Sequence, residues 1–569
     1  MENLSLKLQN LFLEKKYSDI IKFVEKELDP KLQSAGVLNV LGVSIILKGP
    51  KSKEIYNKAL NIFKSSYLKE KKTKIGLNSL INYINVSVDL YDLGYSSEDS
   101  KHHFSFFNES LNLFEEAEKN FGYDEKLISA IIRVYKKLTN IEKVLNYLNI
   151  LIDNNCKNLS IICSYIYYNC FKNKWSQEIF FNKTKLLEKY SESFSENKIG
   201  TINKNIKKRI RVAFFSSDIK PGHSITFFLD SVLKNYNKDK FEIYLYLNNN
   251  NKDQYLNFLK ESVDKIFEVS QLSDLETINL IRKNDIDIIF DLMGVTSANR
   301  IQLFKNRLAP IQISWLGYCN TTGLENMDYI LSDPNLIYEN EEKFYSEKVI
   351  RMSKIWNCHS GMSSKFFKHP LPYKENKYIT FGSLNNFAKI NYDVLETWIK
   401  ILKKVKNSKL ILKSSVKRDV NFIKEEFEKE SLSGSIVFKD FIDSHEKHID
   451  IYKKIDVCLD TFPYNGVTTS FEATWMCVPV ITMRGYNFNS RCGESINKNL
   501  DLDYLIAKDK DDYVDKAVEL SNDIEKLEII RDKIFRTALH SPLFDFKDFS
   551  EEFYEKIQEL YKKNFYLQK

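Results

Sequence analysis

No run of apolar residues in this chain is long enough to cross a bilayer. The longest, such as Gly36 to Leu47, carry polar breaks and stop short of the roughly 20 residues that a spanning helix needs. No membrane helix is expected. An apolar signal segment is also missing from Met1-Glu2-Asn3-Leu4-Ser5. There are eight cysteines and no Cys-x-x-Cys spacing. Without a signal segment they are most simply buried thiols in a reducing, cytoplasmic setting. Cys156, Cys163 and Cys170 recur every seven residues on one helical face. No histidine or acidic residue shares that pattern, so core packing outweighs metal binding there. An excess of one charge is absent too. The 84 Lys and Arg exceed the 77 Asp and Glu by 7 over 569 residues. That balance gives no reason to expect nucleic-acid binding and allows only a weak preference for anionic ligands.

What is present is ordinary globular composition, 43% apolar and 28% charged. The length implies two or three domains. The first 200 residues show helical periodicity, as in Tyr56-Ala59-Leu60-Phe63, Ile128-Ile131-Ile132-Tyr135 and Val144-Leu145-Leu148-Leu151. Short breaks such as Gly49-Pro50 separate these stripes. With Ala59 and Ala117 placed where paired helices would approach, the fragments resemble degenerate tetratricopeptide repeats. An unrelated helical bundle is the alternative.

From Lys207 the pattern changes to strand-length apolar runs alternating with amphipathic helices. Arg209 to Phe215, Phe241 to Leu247, Ile286 to Phe290, Ile311 to Trp315 and Tyr329 to Leu331 form one series. Tyr378 to Gly382, Leu410 to Leu412, Ile436 to Phe438, Val457 to Leu459 and Val480 to Met483 form a second. Such runs imply parallel sheets buried on both faces, hence two doubly wound α/β lobes. The expected organisation is therefore helical repeats over 1–200, a first lobe over 207–375, a second over 376–545 and a final helix over 546–569. Pro370 to Asn376 is the expected hinge between lobes. Ligands of such sheets bind at the C-terminal strand ends.

The strand Val457-Cys458-Leu459-Asp460 leads into Asn465-Gly466-Val467-Thr468-Thr469-Ser470 at a helix start. A turn of this kind offers backbone N–H groups, hydroxyls and the positive end of a helix dipole to a phosphate. Read alone, Thr468 or Thr469 caps the helix. In context, Asp456 to Gly485 resembles the nucleotide-sugar clamp of the O-linked N-acetylglucosamine transferase and SPINDLY glycosyltransferases. Similar segments occur in the family's order. They are Ser216-Ser217-Asp218 with His223, Ala309-Pro310-Ile311-Gln312 with Trp315-Leu316-Gly317-Tyr318 and Thr321-Thr322-Gly323, and Ser383-Leu384-Asn385-Asn386 with Lys389-Ile390.

The resemblance implies an inverting, metal-independent GT-B glycosyltransferase with no cofactor, using a nucleotide sugar, UDP-N-acetylglucosamine by default. The acceptors it implies are Ser or Thr hydroxyls of proteins, met through the helical repeats. Lys389 matches the lysine that neutralises the leaving diphosphate, and Thr468 and Thr469, beside Gly466, match the threonines that hold it. His448 matches a histidine that packs on the donor base. Asn386 stands where a glutamine lies near the donor. Leu316 and Gly317 match backbone positions near the transferred sugar. His223, with Asp218, matches a histidine near the acceptor; the proton goes to His223, to Asp218 or to the phosphate itself. Val467 replaces a histidine, Glu472 an aspartate and His445 a lysine, the last two being ribose contacts in the family. Cys319-Asn320 replaces Pro-Gly. These departures bear on base and sugar, so fucose, glucose or another hexose, or transfer to Asn, remain alternatives. So do an inactive scaffold and a nucleotide-sugar epimerase. Asp285-Ile286-Asp287 has the spacing of the metal motif of other glycosyltransferases. It runs straight into an apolar strand, so a strand boundary is the better reading.

Overall fold

The structure is a computed structural model. It describes residues 2–93, 100–172, 175–195, 197–199, 201–202, 205–249, 259–362, 364–413, 420–439 and 444–566. The chain divides into two compact units, one built on Met1–Cys156 and one on Lys157–Val416 and Ile423–Lys569.

The first unit is helical throughout its described residues. Its helices are α1 (Glu2–Leu13), α2 (Tyr17–Lys22), α3 (Ala35–Lys48), α4 (Lys53–Lys69), α5 (Lys74–Asp92), α6 (Ser100–Phe121), α7 (Glu125–Lys137) and α8 (Ile141–Asp153). Side chains start them: Ser34, Ser52, Thr73, Asp124 and Asn140 each accept the N–H three residues on, which satisfies a donor the helix cannot. Each helix packs mainly on its chain neighbours, α3 on α4, α4 on α5, α5 on α6 and α7, and α7 on α8. That is the contact order of a helical-repeat stack. The stripe Tyr56-Ala59-Leu60-Phe63 is buried. A Cβ at Gly42 would meet the Phe63 ring at 2.6 Å, so α3 and α4 approach where only glycine fits.

Two more helices, α9 (Leu159–Asn169) and α10 (Gln177–Tyr190), precede the first strand. The expected boundary at 200 grouped them with the repeats, and Gly200 itself lies outside the described residues. They belong to the second unit. Cys163 Sγ donates to Asn299 Oδ1 at 3.7 Å, and a Cβ at Gly323 would lie 2.6 Å from the Thr184 backbone.

The rest of the second unit holds two sheets. The seven-stranded one has the order β3-β2-β1-β4-β5-β6-β7, with β1 (Ile210–Ser216), β2 (Phe241–Leu247), β3 (Lys265–Glu268), β4 (Ile288–Asp291), β5 (Ile311–Ser314), β6 (Tyr329–Ser332) and β7 (Lys348–Arg351). The six-stranded one has the order β10-β9-β8-β11-β12-β13, with β8 (Thr380–Ser383), β9 (Lys409–Leu412), β10 (Ile436–Phe438), β11 (Val457–Leu459), β12 (Val480–Met483) and β13 (Ile506–Ala507). The strand pairings are parallel. Both sheets run outward from their first strand in two directions. Each therefore has a switch point, β1/β4 in one and β8/β11 in the other, where the loops part and leave a crevice.

Helices cover the sheets: α11 (Ser224–Leu233), α12 (Asp274–Lys283), α13 (Pro372–Asn376), α14 (Tyr392–Lys404), α15 (Asn421–Lys429), α16 (His445–Ile449), α17 (Thr468–Trp475), α18 (Cys492–Lys498), α19 (Lys510–Asn522), α20 (Ile524–Thr537) and α21 (Phe546–Phe565). The Pro370 to Asn376 segment, expected as a hinge, contains the one-turn α13. The final helix, α21, returns to the first lobe: Phe553 packs 5.0 Å from Trp315 and 5.4 Å from Phe290, and Tyr554 donates to the Val232 carbonyl at 3.1 Å.

Candidate active site

The loops at the two switch points carry the residues singled out by sequence. In the first lobe, β1 ends at Ser216 and the chain turns through Asp218 to His223, which caps α11. His223 Nδ1 accepts from the Ile225 N–H at 3.3 Å, so the ring proton sits on Nε2, 3.6 Å from Asp218 Oδ1. Burial lowers the His223 pKa, with the Asp218 carboxylate opposing. The imidazole is thus neutral, and its basic nitrogen is already engaged. At the end of β4, Asp291 is buried and accepts from the Met293 and Gly294 N–H groups at 3.1 and 2.8 Å. Burial pushes it up to about 6. After β5, Leu316 has φ +65°, and a Cβ at Gly317 would sit 2.0 Å from the Leu292 carbonyl. Glycine is required for that approach.

In the second lobe, the turn after β8 presents Asn385, Asn386 and Lys389. Asn386 Oδ1 accepts from the Ala388 N–H at 3.1 Å and so shapes the turn that carries Lys389. Lys389 Nζ donates to the Asn465 carbonyl at 2.7 Å and lies 4.6 Å from the Tyr464 ring centre. Burial lowers its pKa. The turn after β11 is organised by Asp460, which accepts from the Thr461 and Gly466 N–H groups and from the Thr482 hydroxyl at 2.7 to 2.8 Å. Gly466 has no room for a side chain, because a Cβ would meet Thr469 Oγ1 at 2.5 Å and Asn385 Oδ1 at 2.9 Å.

Helix α17 begins at Thr468 without a side-chain cap. The capping role that these threonines suggest in isolation is not the one they take. Thr469 Oγ1 instead donates to Asn385 Oδ1 at 3.1 Å, bridging the β8 and β11 loops. The first helical N–H bonds come only at Ser470 and Phe471, both to the Val467 carbonyl. The end of α17 therefore faces the same turn as Lys389.

Beside it lies a buried charged cluster. His448 Nε2 donates to Glu472 Oε2 at 3.0 Å, because Lys413 Nζ donates to the other ring nitrogen at 2.7 Å. Tyr452 donates to the same carboxylate oxygen at 2.9 Å, and His445 Nε2 stands 3.5 Å from Oε1. Burial opposes the charge on Glu472, but the two histidines outweigh it and hold the group at about 2. His445 and His448 thus converge on a carboxylate. The cluster touches the first lobe through Phe227, whose ring is 5.0 Å from His445 and 5.1 Å from His359.

The lobes are joined at the lysine by a run of hydrogen bonds. The Asn465 N–H donates to the Asn489 carbonyl at 3.1 Å, and Asn320 Nδ2 donates to Asn489 Oδ1 at 3.2 Å. Nearby, Arg491 grips Glu341 with two bonds of 2.5 and 2.8 Å, and Ser495 donates to Asp333 at 2.6 Å. Asp285 and Asp287 sit at the opposite, N-terminal end of β4. Asp287 takes Lys207 Nζ at 2.6 Å and the Arg211 N–H at 2.8 Å, so the pair is a strand boundary.

Residues 172–375 and 368–553 match the family model for glycosyl transferase family 41. The chain belongs to this family. Among curated proteins, this family-41 chain is 32% identical over 342 residues to a "Probable UDP-N-acetylglucosamine--peptide N-acetylglucosaminyltransferase SPINDLY" of Eustoma exaltatum subsp. russellianum, spanning 58% of the chain and 37% of that protein. It is 29% identical over 370 residues to the tomato (Solanum lycopersicum) protein of the same description, spanning 63% and 39%. The chain thus spans well under half the length of these relatives. Among solved structures, an O-GlcNAc transferase mutant of Thermobaculum terrenum superposes with a TM-score of 0.78 at 19% identity, covering 97% of this chain and 98% of that one. This likeness shows the shared fold, helical repeats followed by a GT-B unit.

Sequence reading of the family-41 chain overlooked several residues at the site. Lys413, Tyr452 and His359 carry no motif and arrive from separate elements. His359 is fully buried and neutral, pushed to about 4 by burial. Its Nδ1 accepts from the Gly361 N–H at 3.1 Å, and its Nε2 has no partner among the described residues.

Proposed function

We propose that the chain is an inverting glycosyltransferase that moves a sugar from a nucleotide diphosphosugar, UDP-N-acetylglucosamine by default, to Ser or Thr hydroxyls of proteins. One observation carries this reading. Lys389, the uncapped start of α17 and Thr469 converge on one turn at a sheet switch point, an arrangement suited to a diphosphate. Breaking the sugar–phosphate bond builds negative charge there. A fixed ammonium and a helix N-terminus stabilise that charge more in the transition state than before it. The same groups do the work of a divalent cation, so activity is expected to survive EDTA; complete loss restored by magnesium would overturn that part. His223, held by Ile225, is oriented more as a donor through Nε2 than as a base. That leaves Asp218 or the phosphate to take the acceptor proton. The relatives' descriptions name peptide acceptors and UDP-N-acetylglucosamine, which supports the default donor. The Glu472 cluster favours a second reading of the donor, since its histidine at 445 and its longer acid replace family ribose contacts. Transfer of fucose or another hexose is that alternative. A thermal-shift screen across UDP- and GDP-sugars decides between them, because a ligand that binds only the folded state raises its apparent stability. Release of nucleoside diphosphate from the stabilising donor supports transferase chemistry. Isomerised donor would mean an epimerase, and no turnover a scaffold.

A further inference from the structure

We propose that Tyr464 is a positioning residue for Lys389, and that the end of helix α9 holds Tyr464 in place. This rests on the reading of Lys389 as the group that meets the leaving diphosphate. The Lys389 ammonium donates to the Asn465 carbonyl at 2.7 Å and lies 4.6 Å from the Tyr464 ring centre. An ammonium over an aromatic face is attracted by the ring's quadrupole, most strongly where water is excluded. The ring is itself fixed from outside the sheet. Phe171, just past α9, packs 5.2 Å from Tyr464, and Tyr167 on α9 lies 6.4 Å away. Asn391 ties these parts together, its Nδ2 donating to the Phe171 carbonyl at 3.1 Å and to the Phe462 carbonyl at 2.8 Å. Its Oδ1 meanwhile caps α14. A helix that sequence assigns to the repeats thus reaches the reacting end of the second lobe.

The ring and the carbonyl together aim the ammonium at the turn before α17 and keep it charged when desolvated. The titratable groups facing Lys389 are Asp460 at the end of β11, Cys492 on α18, Cys319 after β5 and Tyr464 itself. Asp460 favours the charge. Burial keeps the Cys492 thiol protonated, so it adds none. Removing the ring therefore lowers the Lys389 pKa, and the ammonium is lost at a lower pH.

The test is pH-dependent acetic-anhydride labelling of the full-length chain, read at the Lys389 peptide by mass spectrometry. In Tyr464→Leu the labelling midpoint is expected to fall by about one pH unit, while Tyr464→Phe, which keeps the ring face, holds it at the wild-type position. The alkaline limb of turnover at saturating donor should move with it. An unchanged midpoint in folded Tyr464→Leu overturns the proposal. If that variant does not fold, Phe171→Leu takes its place: a smaller shift in the same direction supports the proposal, and none overturns it. Unaltered turnover in Lys389→Ala would instead remove the catalytic reading, while the labelling still decides the role of Tyr464.

Discussion

Two side chains, Lys389 and Glu472, set the electrostatics of the second-lobe site, and each makes a testable claim. Lys389→Ala should lower turnover by roughly 100- to 1000-fold, the usual scale for one preorganised electrostatic group. Its thermal midpoint should stay near wild type, because the lysine is half-buried and fills no core. The comparison belongs at saturating donor, where chemistry is separated from binding. Lys389→Arg should not restore the rate, since a planar fork does not replace a compact ammonium. Burial lowers the Lys389 pKa, and the charged form is the one proposed to meet the diphosphate. Activity should therefore hold at neutral pH and fall as pH rises through a midpoint below the ordinary lysine value; a pH–rate profile flat to the ordinary lysine range would contradict this. Glu472 differs in kind. Its folded pKa of about 2 lies below its usual 4.5. Its contribution to stability is therefore present above 4.5 and lost as pH falls toward 2. Glu472→Ala removes the carboxylate to which His448 and Tyr452 both donate and leaves those buried donors unmet, a loss on the order of 1–3 kcal/mol for each. A markedly lower thermal midpoint at neutral pH is the expected outcome, and an unchanged one would mean that the cluster is solvated.

At the scale of elements, β4, β5, β8, β11 and β12 read clearly from sequence because parallel strands covered on both faces are continuous apolar runs. The overlooked strands are edge or near-edge pieces. Lys265 to Glu268 has no buried residue, Lys348 to Arg351 has one, Ile350, and Ile506-Ala507 is two residues long. Their pairing is set by the neighbouring strand rather than by local pattern. The candidate site residues stand out differently: Lys389, Thr468 and Thr469 are picked out only because the segments around them, Ser383 to Ile390 and Asn465 to Thr469, resemble the family's, since the threonines read alone suggest a helix cap. Tyr464, just before that second segment, carries no local signal, because the ring that packs on it, Phe171, lies nearly 300 positions earlier in the chain. The stripe Phe553, Ile557, Leu560, Tyr561 has helical spacing, and the return of α21 to the first lobe buries it in part. Phe553 is fully buried against Phe290 and Trp315. Phe553→Ala should cost about 3–5 kcal/mol and lower the thermal midpoint of the catalytic unit. A change under about 1 kcal/mol in a denaturant melt would show that α21 is dispensable.

At the scale of the molecule, the question is where the catalytic machine begins. Helical periodicity looks the same whether a helix packs on another repeat or on a lobe, so sequence drew the line at 200. In the structure the first compact unit closes at Cys156, so α9 and α10 fall in the second. Between 157 and 199 the chain supplies Phe171 and Tyr167 against Tyr464. Gln177 bonds to the Tyr486 carbonyl, and the Glu188 carboxylate lies 3.3 Å from Lys305. The Phe194 N–H donates to Asn306 Oδ1 at 2.7 Å. Removing these groups strips partners from both lobes at once and loosens the turn that carries Lys389. Removing residues 1–156 takes away the body of the first compact unit. Two truncations therefore separate the functions. A chain starting at Lys157 should bind the donor nucleotide with unchanged affinity and keep donor cleavage, while transfer to a folded protein acceptor falls, because the repeats are proposed to meet that acceptor. A chain starting at Thr201 should lose donor cleavage and unfold at lower temperature. Calorimetric nucleotide binding, nucleoside diphosphate release and acceptor labelling on both chains provide the readout. Equal donor cleavage by the two truncations would place the boundary back at 200 and leave α9 and α10 as ordinary repeats.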